Sequence, residues 1–287
     1  MTRRTLILGA ASALSGSRII DSHVHLFLPQ FPYHPAATYW PEARPLDQYL
    51  AFLREAPITH VVVVHPEPYQ DDHRILPYIF EHEPSPGFFK STCLFDPIDP
   101  ATPERMAQLN RRFPNRIVGM RIHEIHKPGT PPLASGPIKD RDLQNPGMKN
   151  VFRKARELNW MIQFQLIPHY AAPVAELVRE FPNVPVVIDH VGRAHEGTPA
   201  EVQQVMDLAK AGKVYMKFSG PYTGDAALAR RAFDSFGPDR MICGYVGMSL
   251  PEYQKWNTDF DNAFSRLSSG DQAKIRVGTA AALFRFQ

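Results

Sequence analysis

Cysteine and long apolar runs are both scarce in this sequence, and each absence narrows the class of protein. Cys93 and Cys243 are the only cysteines, and each lies inside an apolar stretch. We interpret them as small buried side chains rather than as a disulfide or a metal-binding pair. No apolar run approaches the roughly 18 residues needed to span a bilayer. We therefore expect no membrane segment.

A large excess of charge of one sign is also lacking. The formal net charge is +3, from 32 Lys and Arg against 29 Asp and Glu, and the basic residues are scattered along the chain. A nucleic-acid-binding protein normally carries a basic stripe, so we expect no nucleic-acid partner and a small-molecule substrate instead. Apolar residues make up 44% of the 287 positions, which is typical of a globular protein with a sizeable core.

The N-terminus has a composition of its own. Arg3 and Arg4 precede a short apolar segment and then the small residues Ala11, Ser12 and Ala13. This pattern resembles a short twin-arginine export signal with a cleavage site, and a disordered basic leader is the alternative. We predict a leader over 1–18, a single domain over 19–287, and a cytoplasmic or periplasmic location.

Apolar runs typical of β-strands alternate with segments of helical periodicity along the chain. The predicted strands are 19–25, 60–65, 88–94, 117–123, 161–166, 185–189, 214–218 and 241–244. The predicted helices are 46–55, 102–112, 150–158, 172–180, 200–211, 226–235 and 252–267. This alternation indicates a parallel sheet buried on both faces. No glycine-rich phosphate loop follows the first strand, which favours a single (β/α)8 TIM barrel of the α/β class over an open doubly wound sheet.

Polar residues gather where the predicted strands end, which is where a TIM barrel carries its chemistry. The strand-end residues are His23, His25, His65, Arg121, His123, Asp189, His190, Lys217 and Ser219. Side chains two apart on a strand share a face, so His23 and His25 can converge on one divalent ion. A pair of exposed or core histidines is the alternative interpretation of this spacing.

Long proline-containing connections follow the first and fourth predicted strands. The sequence has 28 prolines, many of them in 27–45 and 127–146. Connections of this length usually bind or cover something. We expect Tyr39, Trp40 and the loop 127–148 to cap the C-terminal face of the barrel, and we expect Tyr39 and Trp40 to contact the substrate there.

Several segments together resemble the amidohydrolase superfamily in its amidohydrolase-related (type 2) branch. They are I-I-D-S-H-V-H-L-F at 19–27, V-G-M-R at 118–121, P-V-V-I-D-H-V-G-R at 185–193, Y-M-K-F-S-G at 215–220 and A-A-A-L-F-R-F at 280–286. The similarity covers nearly the whole chain from Ile19. V-I-D-H-x-G and K-x-S-G are most similar to lactone hydrolases such as pyrone-dicarboxylate hydrolases and sugar lactonases.

The resemblance implies a role for each matching residue. His23 and His25 match a strand-one pair that binds metal or touches the substrate, and His190 matches a histidine that contacts the substrate carbonyl or its water. Arg121 matches an arginine that holds a substrate carboxylate or polarises the carbonyl, and its fork suits a carboxylate; a structural salt bridge is the alternative. Lys217 is expected to bind substrate too, with Asp21 or Asp189 as its partner. We also expect substrate contacts from His65 and His123.

The sequence departs from the family pattern on two strands. Gln163 and Gln165 occupy strand five, where the superfamily often has a histidine ligand. On strand eight, Val246 stands where the family has the aspartate that binds metal or activates water. The candidate substitutes are Glu67, Asp96, Glu124 and Asp189. We expect either no cofactor or one weakly bound divalent metal, zinc or manganese.

These observations predict a hydrolase of a small, carboxylated lactone or cyclic ester. In this reading His23, His25, His190 and Arg121 are catalytic, with His23 and His25 as the metal ligands. A non-hydrolytic lyase or decarboxylase of the same superfamily is one alternative. A ligand-binding barrel that has lost turnover is the other, and Val246 favours it.

Overall fold

The computed structural model describes residues 18–130 and 142–287. In these ranges, eight parallel strands pair in chain order in one sheet. The strands are β1 Ile19–Val24, β2 Ile58–Val63, β3 Phe89–Cys93, β4 Ile117–Glu124, β5 Met161–Leu166, β6 Val186–Ile188, β7 Val214–Ser219 and β8 Met241–Gly244. The edge strands meet through Val246, whose amide donates to the carbonyl of His23 at 2.9 Å. The sheet therefore forms a nearly closed (β/α)8 barrel, as predicted.

Helices follow the strands and cover the outside of the barrel. They are α1 Leu46–Glu55, α2 Ile75–Glu81, α3 Thr102–Arg112, α4 Pro146–Leu158, α5 Ala171–Glu180, α6 Pro199–Asp207, α7 Ala226–Phe236, α8 Leu250–Phe264, α9 Ser269–Ala273 and α10 Thr279–Phe284. Local signals set several of their ends. At the start of α6, Thr198 and Glu201 form a capping box, and α4 ends at Asn159 in the left-handed conformation.

The core has two parts. The larger part lies between the barrel wall and the helices. The smaller part fills the N-terminal end of the barrel, where strand side chains pack against Ala280 and Phe284 of α10. Its strand residues are Ile20, Val62, Val118, Met161, Val187 and Ile242. Because the base is filled, the opposite, C-terminal end is where a substrate can enter.

Two bulges reset the direction of the side chains along the barrel wall. Between Asp21 and Val24, β1 has one residue more than the β2 segment that pairs with it, and β4 has one more at Val118 than β3. Ile20 faces the barrel interior, so strict alternation would turn His23 outward. The extra residue brings His23 back to the inside, which is a common use of a bulge beside an active site.

Most predicted elements are present, with ends that differ by a few residues. The predicted first and sixth strands are too long, because β1 ends at Val24 and β6 at Ile188. Helix α2 was not predicted; it has seven residues, contains Pro77 and lacks a side-chain cap. The predicted leader, apart from Arg18, and positions 131–141 of the predicted 127–148 loop lie outside the described residues. None of the described helices has the length and apolarity needed to cross a membrane.

Candidate active site

Asp189 follows β6 directly and lies at the centre of a buried cluster of polar side chains. Its Oδ2 accepts hydrogen bonds from Nε and Nη2 of Arg121, each at 2.9 Å, and its Oδ1 lies 3.1 Å from Nζ of Lys217. Nε2 of Gln163 lies 2.9 Å from both oxygens. Burial opposes the ionisation of Asp189, but Lys217 and Arg121 outweigh it and hold the pKa of this carboxyl well below its usual range. The carboxylate is therefore a fixed negative charge between two cations.

His23 and His25 bring their rings together above this carboxylate. Their Nε2 atoms are 3.2 Å apart. Nδ1 of His25 lies 2.7 Å from the carbonyl of Val64, and Nδ1 of His23 lies 3.3 Å from Oδ1 of Asp189. Burial, helped by the charge of Arg121, lowers the pKa of His25 to about 3, and burial likewise lowers the pKa of His23 well below its usual value. Both rings are neutral at pH 7.

His190 completes the set of three imidazoles. Its ring centroid lies 4.6 Å from that of His23, and its Nδ1 lies 3.0 Å from the hydroxyl of Ser219 at the end of β7. Burial lowers the pKa of His190 to about 4. The structure therefore brings together the three histidines that the sequence placed in the site, all of them uncharged.

Lys217 lies beneath the cluster rather than in its mouth. Its Nζ contacts the carbonyl of Ser22 at 3.0 Å, Oδ1 of Asp189 at 3.1 Å and Nδ1 of His23 at 3.4 Å. The carbonyl and the carboxylate oxygen both accept from the ammonium group, and the side chain is fully buried. Of its two predicted partners, Asp189 forms the ion pair, whereas Asp21 accepts from the backbone amides of His23 and Tyr245. These contacts place Lys217 between β1 and the end of β6, beneath the three imidazoles.

Arg121 has both of the features that the sequence offered as alternatives. It forms a salt bridge inside the barrel with Asp189, and it lies at the level of the three histidines, 3% exposed. Since Nε and Nη2 are used on Asp189, Nη1 is the nitrogen that Arg121 can offer to a substrate.

The other predicted contacts lie further from the cluster. Tyr39 packs its ring 6.4 Å from that of Phe27, which in turn lies 6.0 Å from the ring of His25. Burial raises the pKa of Tyr39 to about 12, and the nearby charge of Arg121 partly opposes the shift. Tyr39 therefore borders the entrance, whereas Trp40 is 67% exposed beside it.

His65 and His123 have different surroundings. His65 lies beyond β2, with Nε2 3.1 Å from the carbonyl of Gln70 and its ring 4.6 Å from that of His73. These contacts place it in the β2–α2 connection, outside the three-histidine cluster. His123 is buried two residues beyond Arg121 on β4. His73 was not singled out by the sequence, because it follows no predicted strand.

One of the four substitute carboxylates lies among the histidines. Among the described residues, ligand atoms of His23, Asp189 and His190 lie within 4.8 Å of one another. Glu67 instead accepts hydrogen bonds from Thr38 and Gln70 in the loop after β2. Asp96 and Glu124, the other two substitutes, do not belong to this group.

The donor set fits a divalent ion held mainly by imidazole. An Nε2–Nε2 distance of 3.2 Å suits two ligands of one ion, since Zn–N bonds are about 2.0–2.1 Å. Each of the two rings also has an oxygen near its Nδ1, as ligand histidines usually do. Against tight binding, Arg121 and Lys217 neutralise Asp189. Val246, at the position where we expect the family's strand-eight aspartate, has no ligand atom to offer.

The comparisons with known proteins identify the family. The chain belongs to the amidohydrolase family, whose family model matches residues 20–286. The fold, the strand-end histidines and this match define an amidohydrolase-related hydrolase, which confirms the class predicted from the sequence.

Particular relatives are similar over nearly the full chain. A 4-sulfomuconolactone hydrolase from Rhizobium radiobacter is 27% identical, over 92% of this chain and 89% of the relative. The structure of a probable 2-pyrone-4,6-dicarboxylic acid hydrolase from Acinetobacter baumannii, with citric acid bound, has a TM-score of 0.74 at 21% identity and covers 94% of this chain and 100% of that one. An amidohydrolase from Burkholderia multivorans with bound zinc has a TM-score of 0.71 at 18% identity, with 94% and 100% coverage. At these identities the two structures support the fold.

Proposed function

We propose that the protein hydrolyses a small, carboxylated lactone or cyclic ester at the cluster around Asp189. The observation that carries the proposal is the convergence of three neutral imidazoles, His23, His25 and His190, beside Arg121 at the C-terminal end of the barrel. The names of the relatives support the substrate class, because one acts on sulfomuconolactone and another is a probable pyrone-dicarboxylate hydrolase.

The charge of the cluster favours an anionic substrate. Arg121 and Lys217 are cations, Asp189 is an anion, and the three imidazoles are neutral. Burial raises the pKa of the nearby Asp21 to about 7, so this carboxyl is only partly ionised and the two cations face less than two full negative charges. A buried charge is stable only when it is paired. A substrate carboxylate beside Nη1 of Arg121 supplies the missing negative charge.

The neutral imidazoles can carry out ester hydrolysis without a carboxylate at position 246. An imidazole with an unprotonated nitrogen accepts a proton from water as the water attacks the lactone carbonyl. Arg121 stabilises the negative charge that develops on the carbonyl oxygen, a contribution typically worth about 10²–10³ in rate. Ring opening then leaves a carboxylic acid and a hydroxyl, with the proton returned from the imidazole to the leaving oxygen. The new acid releases its own proton to solvent and becomes a carboxylate.

A divalent ion, if bound, is held by His23 and His25, with His190 or Asp189 as a further ligand. When bound, such an ion polarises a carbonyl and lowers the pKa of a coordinated water. The positions of the histidines and of Arg121 serve the substrate with or without it.

A panel of carboxylated lactones, assayed with and without chelator, tests the proposal. Ring opening is followed by proton release and by NMR of the product, and released CO₂ is measured in parallel. We expect hydrolysis of at least one lactone, and we expect His23→Ala, His25→Ala and His190→Ala each to remove nearly all of it while the circular dichroism spectrum stays unchanged. A variant that keeps more than about a tenth of the wild-type rate, a loss below about 1.4 kcal/mol, excludes that histidine from catalysis. CO₂ release without ring opening would replace hydrolysis with decarboxylation.

A further inference from the structure

The turn that carries His190 has a backbone that L-residues rarely adopt. His190, Val191, Gly192 and Arg193 all have positive φ, at 56°, 52°, 63° and 47°. For residues other than glycine, this left-handed conformation is unfavourable, because Cβ approaches the following carbonyl oxygen. Strain of this kind persists only where the surroundings hold it in place, and it is concentrated at functional sites.

Packing beneath the turn holds this backbone in place. The amide of Gly192 donates to the carbonyl of Asp189 at 2.9 Å, and Val191 is buried. A Cβ on Gly192 would lie 2.5 Å from Cγ1 of Val205 on α6, so only glycine fits there. The backbone of the turn that carries His190 is therefore strained and tightly packed.

The end of β7 is shaped to receive the ring of His190. Nδ1 of His190 lies 3.0 Å from Oγ of Ser219. At the next residue, Gly220 has a φ of +78°, and a Cβ there would lie 2.6 Å from the same Nδ1. Glycine is therefore required at 220 both for its backbone conformation and for the space that the ring occupies.

Ser219 is placed to orient the ring rather than to react. Its side chain is fully buried, and its hydroxyl lies against Nδ1 of His190. The hydroxyl can accept a hydrogen bond from a protonated Nδ1, which leaves Nε2 without a proton.

We propose that Ser219 and Gly220 are positioning residues that hold His190 as the Nδ1–H tautomer, with Nε2 as the unprotonated nitrogen that accepts the proton of the attacking water. In this proposal His190 activates the water, which is the role of the family's strand-eight aspartate and one that Val246 cannot perform. The assignment of the proton acceptor rests on the proposed function. The assignment of the tautomer does not, because it concerns the resting protein alone.

Nitrogen-detected NMR of protein labelled with ¹⁵N-histidine tests the tautomer without any substrate. The signals of His190 are identified by their loss in His190→Gln, and spectra are recorded at pH 7.5. We expect Nδ1–H in the wild type and in Ser219→Thr, and a shift toward Nε2–H in Ser219→Ala. An unchanged Nδ1–H signal in Ser219→Ala would overturn the role of the hydroxyl. A wild-type Nε2–H signal would overturn the tautomer itself.

Kinetics on a lactone found in the panel test the catalytic consequence. Loss of a partner that orients a working histidine typically costs about 10–100-fold, and we expect this loss in kcat for Ser219→Ala, with KM nearly unchanged. Gly220→Ala should do the same because it displaces the ring. Its matched control is Gly224→Ala, where a Cβ meets nothing within 4 Å and kcat should stay near the wild-type value. Equal losses in the two glycine variants, or a Ser219→Ala effect confined to KM, would refute the assignment.

Discussion

At the scale of single residues, the cluster is organised by a charge that the protein keeps away from the substrate. Asp189 is fully buried and contacts Arg121, Lys217, Gln163 and His23. Removing one partner of a buried ion pair usually lowers the free energy of unfolding by about 3–5 kcal/mol. Because separation of these pairs is so unfavourable, Asp189 holds both cations in place. Under the proposed function, substrate contact is then left to the three imidazoles and to Nη1 of Arg121.

Arg121 should set the preference for an anionic substrate. In Arg121→Lys the positive charge remains, but the fork that contacts Asp189 through two nitrogens while offering a third is lost. We expect kcat/KM for a carboxylated lactone to fall by about 100-fold or more. The loss should be much smaller for the methyl ester of the same lactone, which lacks the charge that Arg121 recognises.

Arg116 provides the matched control for this substitution. It precedes β4 at the end opposite to Arg121, and it forms a two-nitrogen pair with Glu83. Arg116→Lys should leave the ratio of the two substrates unchanged. If Arg121→Lys reduces the rates of acid and ester equally, Arg121 acts on the carbonyl oxygen or on the structure, and recognition of the substrate carboxylate by Arg121 is wrong.

At the scale of elements, the bulge in β4 controls where Arg121 points. Val118 faces the filled base of the barrel and Arg121, three residues later, faces the site. Without the extra residue in β4 the two side chains would lie on opposite faces. Gly119 lies at this irregularity, and a Cβ on it would be 2.3 Å from the carbonyl oxygen of Met161 in β5.

Gly119→Ala should therefore damage both stability and activity. The added methyl meets backbone rather than a movable side chain, so β4 and β5 must separate. We expect a loss of about 1–3 kcal/mol in the free energy of unfolding, the usual cost of overpacking. Activity should fall as well, because Arg121 shifts with its strand. Urea denaturation measures the first effect, and Gly270→Ala, where the nearest atom is 3.7 Å away, is the control. Stability equal to that of the control would contradict the close approach.

The same elements show what the sequence can and cannot predict. An apolar run followed at once by Asp189 and His190 is sufficient to predict a strand with polar residues at its end. The direction of a side chain depends on pairing with other strands, and therefore no periodicity reveals the bulge that turns His23 inward. For the same reason the sequence could not show that residues of β1 and the end of β6 enclose Lys217. In the left-handed turn from His190 to Arg193, Gly192 is the one residue whose type indicates a positive φ. The other three residues give no such indication in the sequence.

At the scale of the whole molecule, buried neutral histidines make the fold sensitive to acid. Outside the active-site cluster, burial lowers the pKa of His65 to about 4 and that of His73 well below its usual value. In the unfolded chain both titrate near pH 6.5. Below that pH the unfolded state binds protons that the folded state does not. The contribution of the two histidines to the free energy of unfolding is therefore fully present above pH 6.5 and is lost as the pH falls toward 4.

We expect each of these two histidines to reduce the free energy of unfolding by about 1.4 kcal/mol per pH unit between pH 6 and pH 4.5. Urea denaturation at several pH values gives the slope for the wild type and for His65→Gln. Glutamine retains an N–H for the carbonyl of Gln70 but does not titrate, so the slope should decrease by one proton. Identical slopes in the two proteins would show that His65 is protonated in the folded state.

Metal affinity is the other property that depends on the molecule as a whole, because its ligands come from strands at opposite ends of the chain. Val246 follows β8 and donates its amide to the carbonyl of His23. Its φ is 68°, a conformation that a β-branched residue adopts only under strain. Aspartate tolerates this conformation better and restores a carboxylate beside the strand-one histidines.

We therefore expect Val246→Asp to bind more metal without loss of stability. Purified wild-type protein, dialysed against zinc or manganese and then against buffer, should contain clearly less than one ion per chain, and its activity should survive chelation. Val246→Asp should approach one ion per chain in the same measurement, because an anionic oxygen joins His23 and His25. Val246→Asn has nearly the same shape and backbone preference but no charge, so its metal content should stay close to that of the wild type. A full equivalent of metal in the wild type, with activity abolished by chelator, would contradict this prediction. Asp189 would then serve as a metal ligand despite Arg121 and Lys217, and a valine at position 246 would not weaken metal binding.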